Sequence, residues 1–122
     1  MGYKISTRTF NDQKVRAVWD EKTMQWLHPI IDIVGILAPG NDPQEYWDTL
    51  KSQLKRLNPK LATACRQIKL KDSNGKYSLT DCLSQKDIRS VAGFIPGQKT
   101  VEFIRWLTNS DDSIDGISRT RA

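Results

Sequence analysis

Histidine occurs once and cysteine twice in this chain of 122 residues, and those counts narrow the chemistry before any motif is sought. His28, Cys65 and Cys82 do not make a zinc-ligand set, and two thiols so far apart do not read as a disulfide framework. Both thiols are expected to be reduced and partly buried. Cys82 follows Asp81 but has no second histidine to act as its base. Asp81, Asp87 and Glu102 are scattered, so clustered acids for Mg²⁺ are lacking as well. There is no Walker loop, dinucleotide loop, HExxH helix or nucleophile elbow. The expectation is a protein with no catalytic residues, no metal and no cofactor. Nor does any apolar run approach the ~18 residues needed to cross a bilayer. The start, MGYKISTRTF, lacks the apolar stretch of a signal peptide, which makes a cytoplasmic protein without membrane partners the expectation.

Acidic residues are scarce in one place in particular. Between Tyr46 and Lys76 only Asp48 and Asp72 oppose eight basic residues, Lys51, Lys55, Arg56, Lys60, Arg66, Lys69, Lys71 and Lys76, a local excess of +6 in a chain of net charge +5. The remainder is therefore slightly acidic. A basic block confined to one third of a small protein is the footprint of a polyanion-binding face, because each phosphate neutralised there releases condensed counterions.

Hydrophobic content of 38% with four tryptophans supports a folded chain of one domain. Residues 1–13 show no sustained period and read as a loose arm. Val15, Ala17 and Trp19, then Met24, Trp26 and Leu27 across a polar stretch, predict a hairpin of two short strands. Pro29 suits a first helical turn. Ile30, Ile31, Ile33, Val34 and Leu37 then give an apolar helical face that stops at Ala38-Pro39-Gly40. Asn41-Asp42-Pro43-Gln44-Glu45 is a capping signal that opens a second helix over Pro43 to Leu57. Trp47, Leu50, Leu54 and Leu57 are its expected inward stripe.

Beyond Asn58-Pro59 the period changes to two. Ile68 and Leu70 alternate with Lys69 and Lys71, Tyr77 and Leu79 with Ser78 and Thr80, and Asn74-Gly75 lies between them. A two-residue turn there predicts Leu70 opposite Leu79, with one face apolar and the other basic and hydroxylic. Ser84-Gln85-Lys86-Asp87 opens a further helix with Ile88, Val91, Ala92 and Ile95 inward. Pro96-Gly97 ends it, and a last helix is expected over 98–109 with Val101, Phe103, Ile104, Trp106 and Leu107. Residues 110–122 read as a frayed tail. The fold class is α+β: a small single domain over 14–109 with two β-hairpins and about four helices.

The first two helices have the spacing of a helix-turn-helix pair, and they equally fit two amphipathic helices with a solvated basic face. In a DNA-binding reading Lys51, Lys55 and Arg56 approach a groove or its flanking phosphates. Ser52, Gln53 or Arg56 would read base edges, and Arg66, Lys69, Lys71 and Lys76 would contact backbone, with Lys60 in the same basic block. Double-stranded DNA is the expected partner. The other class is a protein-interaction module that binds a repressor or host-defence protein. A homodimer could use an exposed part of the Trp47, Leu50, Leu54 stripe or the last helix.

The order of a tryptophan-bearing hairpin, IIDIVGIL, PGNDPQEYW, KSQLKRL, CRQIKLKDSNGKYSLTDC, DIRSVAGFIP and FIRWL resembles the amino-terminal domain of the BRO family. The likeness is to the branch found in phage antirepressors and relatives of DNA-damage-inducible protein D. It covers Lys14 to Leu107. It departs at Pro96-Gly97-Gln98-Lys99, where that branch commonly has Pro-Ser-Pro-Lys, and family members usually continue into a second domain. The resemblance implies an α+β DNA-binding domain of a phage or mobile-element regulator that acts on transcription or on the lysogeny switch.

Overall fold

A computed structural model describes residues 4–72 and 74–115. Among the described residues, five strands and five helices follow one another in the order β1 (Lys4–Phe10), β2 (Gln13–Asp20), β3 (Gln25–Pro29), α1 (Ile30–Leu37), α2 (Pro43–Leu57), α3 (Pro59–Thr63), β4 (Arg66–Lys71), β5 (Tyr77–Ser84), α4 (Gln85–Ala92) and α5 (Thr100–Asp115). The strands form one antiparallel sheet in the order β1-β2-β3-β5-β4. This is the expected α+β class.

The sheet does not lie flat. Two strands separate β2 from β4, which in a flat sheet would set them about 14 Å apart. Yet Arg66 of β4 ion-pairs with Asp20 of β2, and Arg16 Nη1 of β2 donates to the Lys71 carbonyl of β4 at 3.0 Å. The sheet therefore curls. Val18, Leu27, Ile68, Leu70 and Cys82 fill the inside of the curl as a cluster of their own. The other face carries Phe10, Val15 and Leu83 into the larger core with the helices, where Ile30, Ile33, Trp47, Leu54, Ile88, Phe103 and Leu107 are fully buried or nearly so.

Local chemistry explains where the helices begin. Pro29 precedes α1, and Asp32 in its first turn takes three hydrogen bonds from Arg16, from the backbone N–H and from Nε and Nη2, at 2.9–3.0 Å. Asp42 caps α2 by accepting from the amides of Gln44 and Glu45 at 3.0 and 3.1 Å. Ser84 accepts from the Asp87 amide and donates its hydroxyl to the Asp87 carboxylate, a reciprocal box at the start of α4. Asn58 accepts from the Leu61 amide and opens α3, a short helix that no periodicity announces.

Both expected ends need correction. Residues 4–13 are not a loose arm: β1 pairs with β2 along its whole length, from Lys4 opposite Trp19 to Phe10 opposite Gln13. Asn11 and Asp12 make the tight turn between them with φ of 48° and 67°, a conformation these two residue types tolerate. At the other end α5 continues through residues 110–115, which were expected to fray. The expectations for residues 1–3 and 116–122 lie outside the described residues.

One buried group accounts for both corrections. Asp111 on α5 is 7% exposed and receives Arg8 from β1, His28 Nε2 from β3 at 3.1 Å and Gln85 Nε2 from α4 at 2.7 Å. Arg8 also lies over the Trp26 ring, 4.8 Å from its centroid, and His28 Nδ1 sits 3.2 Å from the Arg16 carbonyl. Asp111 thus closes four elements onto one carboxylate. Burial alone would raise its pKa, but the hydrogen bonds from His28, Arg8 and Gln85 together with the His28 charge hold it below the ordinary value of 3.8.

A smaller expectation also fails. Leu57, expected to face inward, is 66% exposed, and Val101, among the apolar residues of the last helix, is 69% exposed. Leu57 closes the last turn of α2 beyond the reach of the core, and Val101 sits in the first turn of α5 beside the inward Phe103. Cys82 is fully buried and Cys65 half-buried, and burial pushes their thiols up to about 12 and about 11, so both stay protonated at neutral pH.

Asp111→Ala is expected to cost about 3–5 kcal/mol, because it leaves the Arg8 charge buried without its partner. Urea unfolding reads this directly, and a loss near zero would remove the cluster from the account. Because the folded pKa is depressed, the stabilisation from Asp111 is complete above its unfolded value near 3.8 and declines as pH falls below it. The Asp111→Asn protein should lack that component of the acid limb.

Candidate nucleic-acid interface

The basic block sits on α2, α3, β4 and the turn between β4 and β5. On α2, Trp47, Leu50 and Leu54 face the core, and Lys51 stands on the flank toward β5. Its ammonium lies 2.9 Å from Asp81 Oδ2, and the same oxygen accepts from Trp47 Nε1 at 2.8 Å. Burial would push the Asp81 carboxyl up, but hydrogen bonds from Trp47, Lys51 and Gln67 and the Lys51 charge keep it below the ordinary carboxylate range. The Lys51 pKa is raised by the same contact. Lys51 is thus a clamp between helix and sheet.

Arg66 is also occupied within the fold. Its guanidinium pairs with Asp20, whose side chain is 4% exposed and also accepts from Thr23 and from the Lys22 amide. Of the ten residues expected at a DNA face, Lys51 and Arg66 therefore have their charges matched by carboxylates. The other eight, Ser52, Gln53, Lys55, Arg56, Lys60, Lys69, Lys71 and Lys76, are exposed.

Those eight do not form one continuous surface. Lys55 lies one turn beyond Lys51 on the same flank of α2, because 3.6 residues make a turn. Gln53 is on the opposite flank, where it lines a groove with Asn41, Glu45, Tyr46, Thr49 and Phe94. Arg56 and Ser52 point away from the core between these flanks, and Lys60 is on α3. The structure brings together Lys69, Lys71 and Lys76 on the β4–β5 hairpin.

The hairpin register differs from expectation by one residue. Leu70 pairs with Ser78, Lys69 with Leu79 and Lys71 with Tyr77. The cause is Asp72, whose carboxylate accepts from the amides of Asn74 and Lys76 at 2.8 and 2.9 Å, while its own N–H reaches the Lys76 carbonyl at 2.8 Å. These bonds close the turn between Asp72 and Lys76, with Gly75 at a φ of 83°. Sliding one strand by one residue moves its side chains to the other face.

As a result Tyr77 and Leu79 share a face with Lys69 and Lys71 instead of pointing to the other side of the sheet. This is the helix-side face of the sheet, the one on which Asp81 meets α2. Past Asp81 it is uncovered: Tyr77 and Leu79 are 62% and 63% exposed. The Lys71 ammonium stands 5.6 Å from the Tyr77 ring centroid. Among the described residues no carboxylate pairs with Lys69, Lys71 or Lys76. The nearest acid along the chain, Asp72, is engaged by turn amides. The arrangement offers three unneutralised ammonium groups around two apolar side chains. Asp72 followed by Asn74 was the sequence signal that could have placed Tyr77 and Leu79 here, since an Asx turn competes with the two-residue turn.

Among the described residues no three His, Cys, Asp or Glu side chains are grouped to hold an ion, and no helix is long and apolar enough to cross a membrane.

Asp81→Ala should destabilise the protein by about 1–3 kcal/mol, since it strands the Trp47 indole N–H and an ammonium at the α2–β5 junction. The check is the urea midpoint at constant m-value. An unchanged midpoint would mean that packing of Trp47 alone holds α2 in place.

No family model, no curated protein and no solved structure matches this chain, so the functional reading rests on the chemistry of the face itself.

Proposed function

We propose that the chain is a DNA-binding module without catalytic activity, and that the uncovered face of the β4–β5 hairpin is its contact surface for duplex DNA. The observation that carries the reading is the placement of Lys69, Lys71 and Lys76, exposed and without a carboxylate partner among the described residues, on one hairpin. Ammonium groups in such an array attract phosphates and displace condensed counterions, a contribution that depends steeply on salt. Lys55 and Arg56 on α2 and Lys60 on α3 extend the positive field around it. The resemblance to BRO family amino-terminal domains adds a setting, a regulator of phage or mobile-element transcription that works in the cytoplasm.

A second reading has one observation in its favour. Tyr77 and Leu79 expose apolar surface among the lysines, as in an interface with an acidic protein such as a repressor or host-defence component. The two readings part on salt-dependent binding to DNA.

Fluorescence anisotropy of a mixed-sequence duplex, titrated at several salt concentrations, decides between them. The protein is expected to bind at low salt with a steep dependence, and each of Lys55, Lys69, Lys71 and Lys76 replaced by alanine should lower the log–log salt slope by roughly 1. Lys51→Met should change that slope least, because its charge is held by Asp81. Absence of binding at low salt would reject the DNA reading in favour of a protein partner.

A further inference from the structure

The hairpin face carries more than charge. A two-stranded ribbon that reads the major groove must fit a cleft roughly 12 Å wide and 8.5 Å deep. Here the back of the ribbon is closed. Ile68 and Leu70 are 2% and 3% exposed inside the sheet's curl, and Arg16 holds the outer edge of β4 through the Lys71 carbonyl. Only the turn projects past that point. The ribbon can therefore meet DNA with one face, laid flat.

On that face the two apolar side chains are central. Tyr77 and Leu79 are two residues apart on one strand, about 6.6 Å, close to two rises of a DNA strand at 3.4 Å each. Lys71 and Lys69 stand directly across from them on β4, where they can reach phosphates. Leu79 has no π-face, and one side of the Tyr77 ring faces the Lys71 ammonium. This pair is poorly made for stacking flat on unpaired bases and well made for insertion between base steps from a groove, the role that apolar side chains play in proteins that bend DNA.

From this we infer that the β4–β5 face bends the duplex it binds, with Leu79 and Tyr77 as wedges and Lys69 and Lys71 as phosphate contacts beside the kink. The inference rests on the DNA-binding reading above. It also supplies a route to sequence preference without base-edge hydrogen bonds: deformable pyrimidine–purine steps kink at less cost than stiff A-tracts.

The test is energy transfer between dyes at the two ends of a short duplex with a central TA step, measured with the full chain at a salt concentration where anisotropy reports saturation. Bound wild type should shorten the end-to-end distance, in keeping with a kink in the range of roughly 20–90°. Leu79→Ala and Tyr77→Ala should bind with the wild-type salt slope and lose the bend. Leu79→Phe should restore it. Both side chains are exposed, so these variants leave the core intact, and an unchanged urea midpoint verifies that. A saturated but straight duplex, a bend that survives both alanine variants, or tighter binding to a single strand of equal length would each overturn the wedge while the DNA-binding reading stands. Absence of binding at low salt would overturn both.

Discussion

Arg66 and Asp20 meet although two strands lie between them in the sheet, and the distance can be closed only by curling the sheet on itself. Much else is set by that curl. It gives Ile68, Leu70, Val18, Leu27 and Cys82 a dry interior separate from the helical core. With Leu70 committed to that interior, the alternation of the strand sends Lys69 and Lys71 to the opposite face. Asp72 then sets which residues of β5 accompany them. Curl and turn together put Tyr77 and Leu79 in solvent among lysines, at a cost in exposed apolar surface.

The basic block divides by function once each charge is followed to its partner. Arg66 and Lys51 hold the fold, one across the curl and the other between α2 and β5. Exposed lysines such as Lys69 and Lys71 contribute little to stability, since unpaired surface charges have no partner to gain from. They are free to contact a polyanion. A count of charge along the chain cannot make this distinction, because it depends on carboxylates that are remote in sequence: Asp20 lies 46 residues from Arg66, and Asp81 lies 30 from Lys51.

The legible parts of the fold were those fixed by local chemistry. Asp42 and Pro43 mark the start of α2, and its observed limits, Pro43–Leu57, are those expected from capping and the Trp47, Leu50, Leu54 spacing. The opening of α4 at Ser84 was equally readable. Strand β1 was not, because its inward positions include Arg8, whose presence in the interior makes sense only with Asp111 beside it. The end of α5 was hidden for the reciprocal reason. The basic character of the candidate face was legible from Lys69 and Lys71. Its apolar centre was not, because the amide hydrogen bonds accepted by the Asp72 side chain outweighed the turn preference of Asn74-Gly75.

The contact between Arg8 and Asp111 has a further consequence in how the protein reaches its fold. Its partners are 103 residues apart, so it closes a loop nearly as long as the domain and bears almost the full entropic cost of chain closure. Hairpins such as β4–β5 and β1–β2 join neighbours and can form early, whereas β1 and α5 find their shared carboxylate only once the sheet between them exists. The two ends of the domain therefore belong to one cooperative unit. Opening either end is expected to release the other, so that their amide protons would exchange with solvent together although β1 and α5 are far apart in sequence.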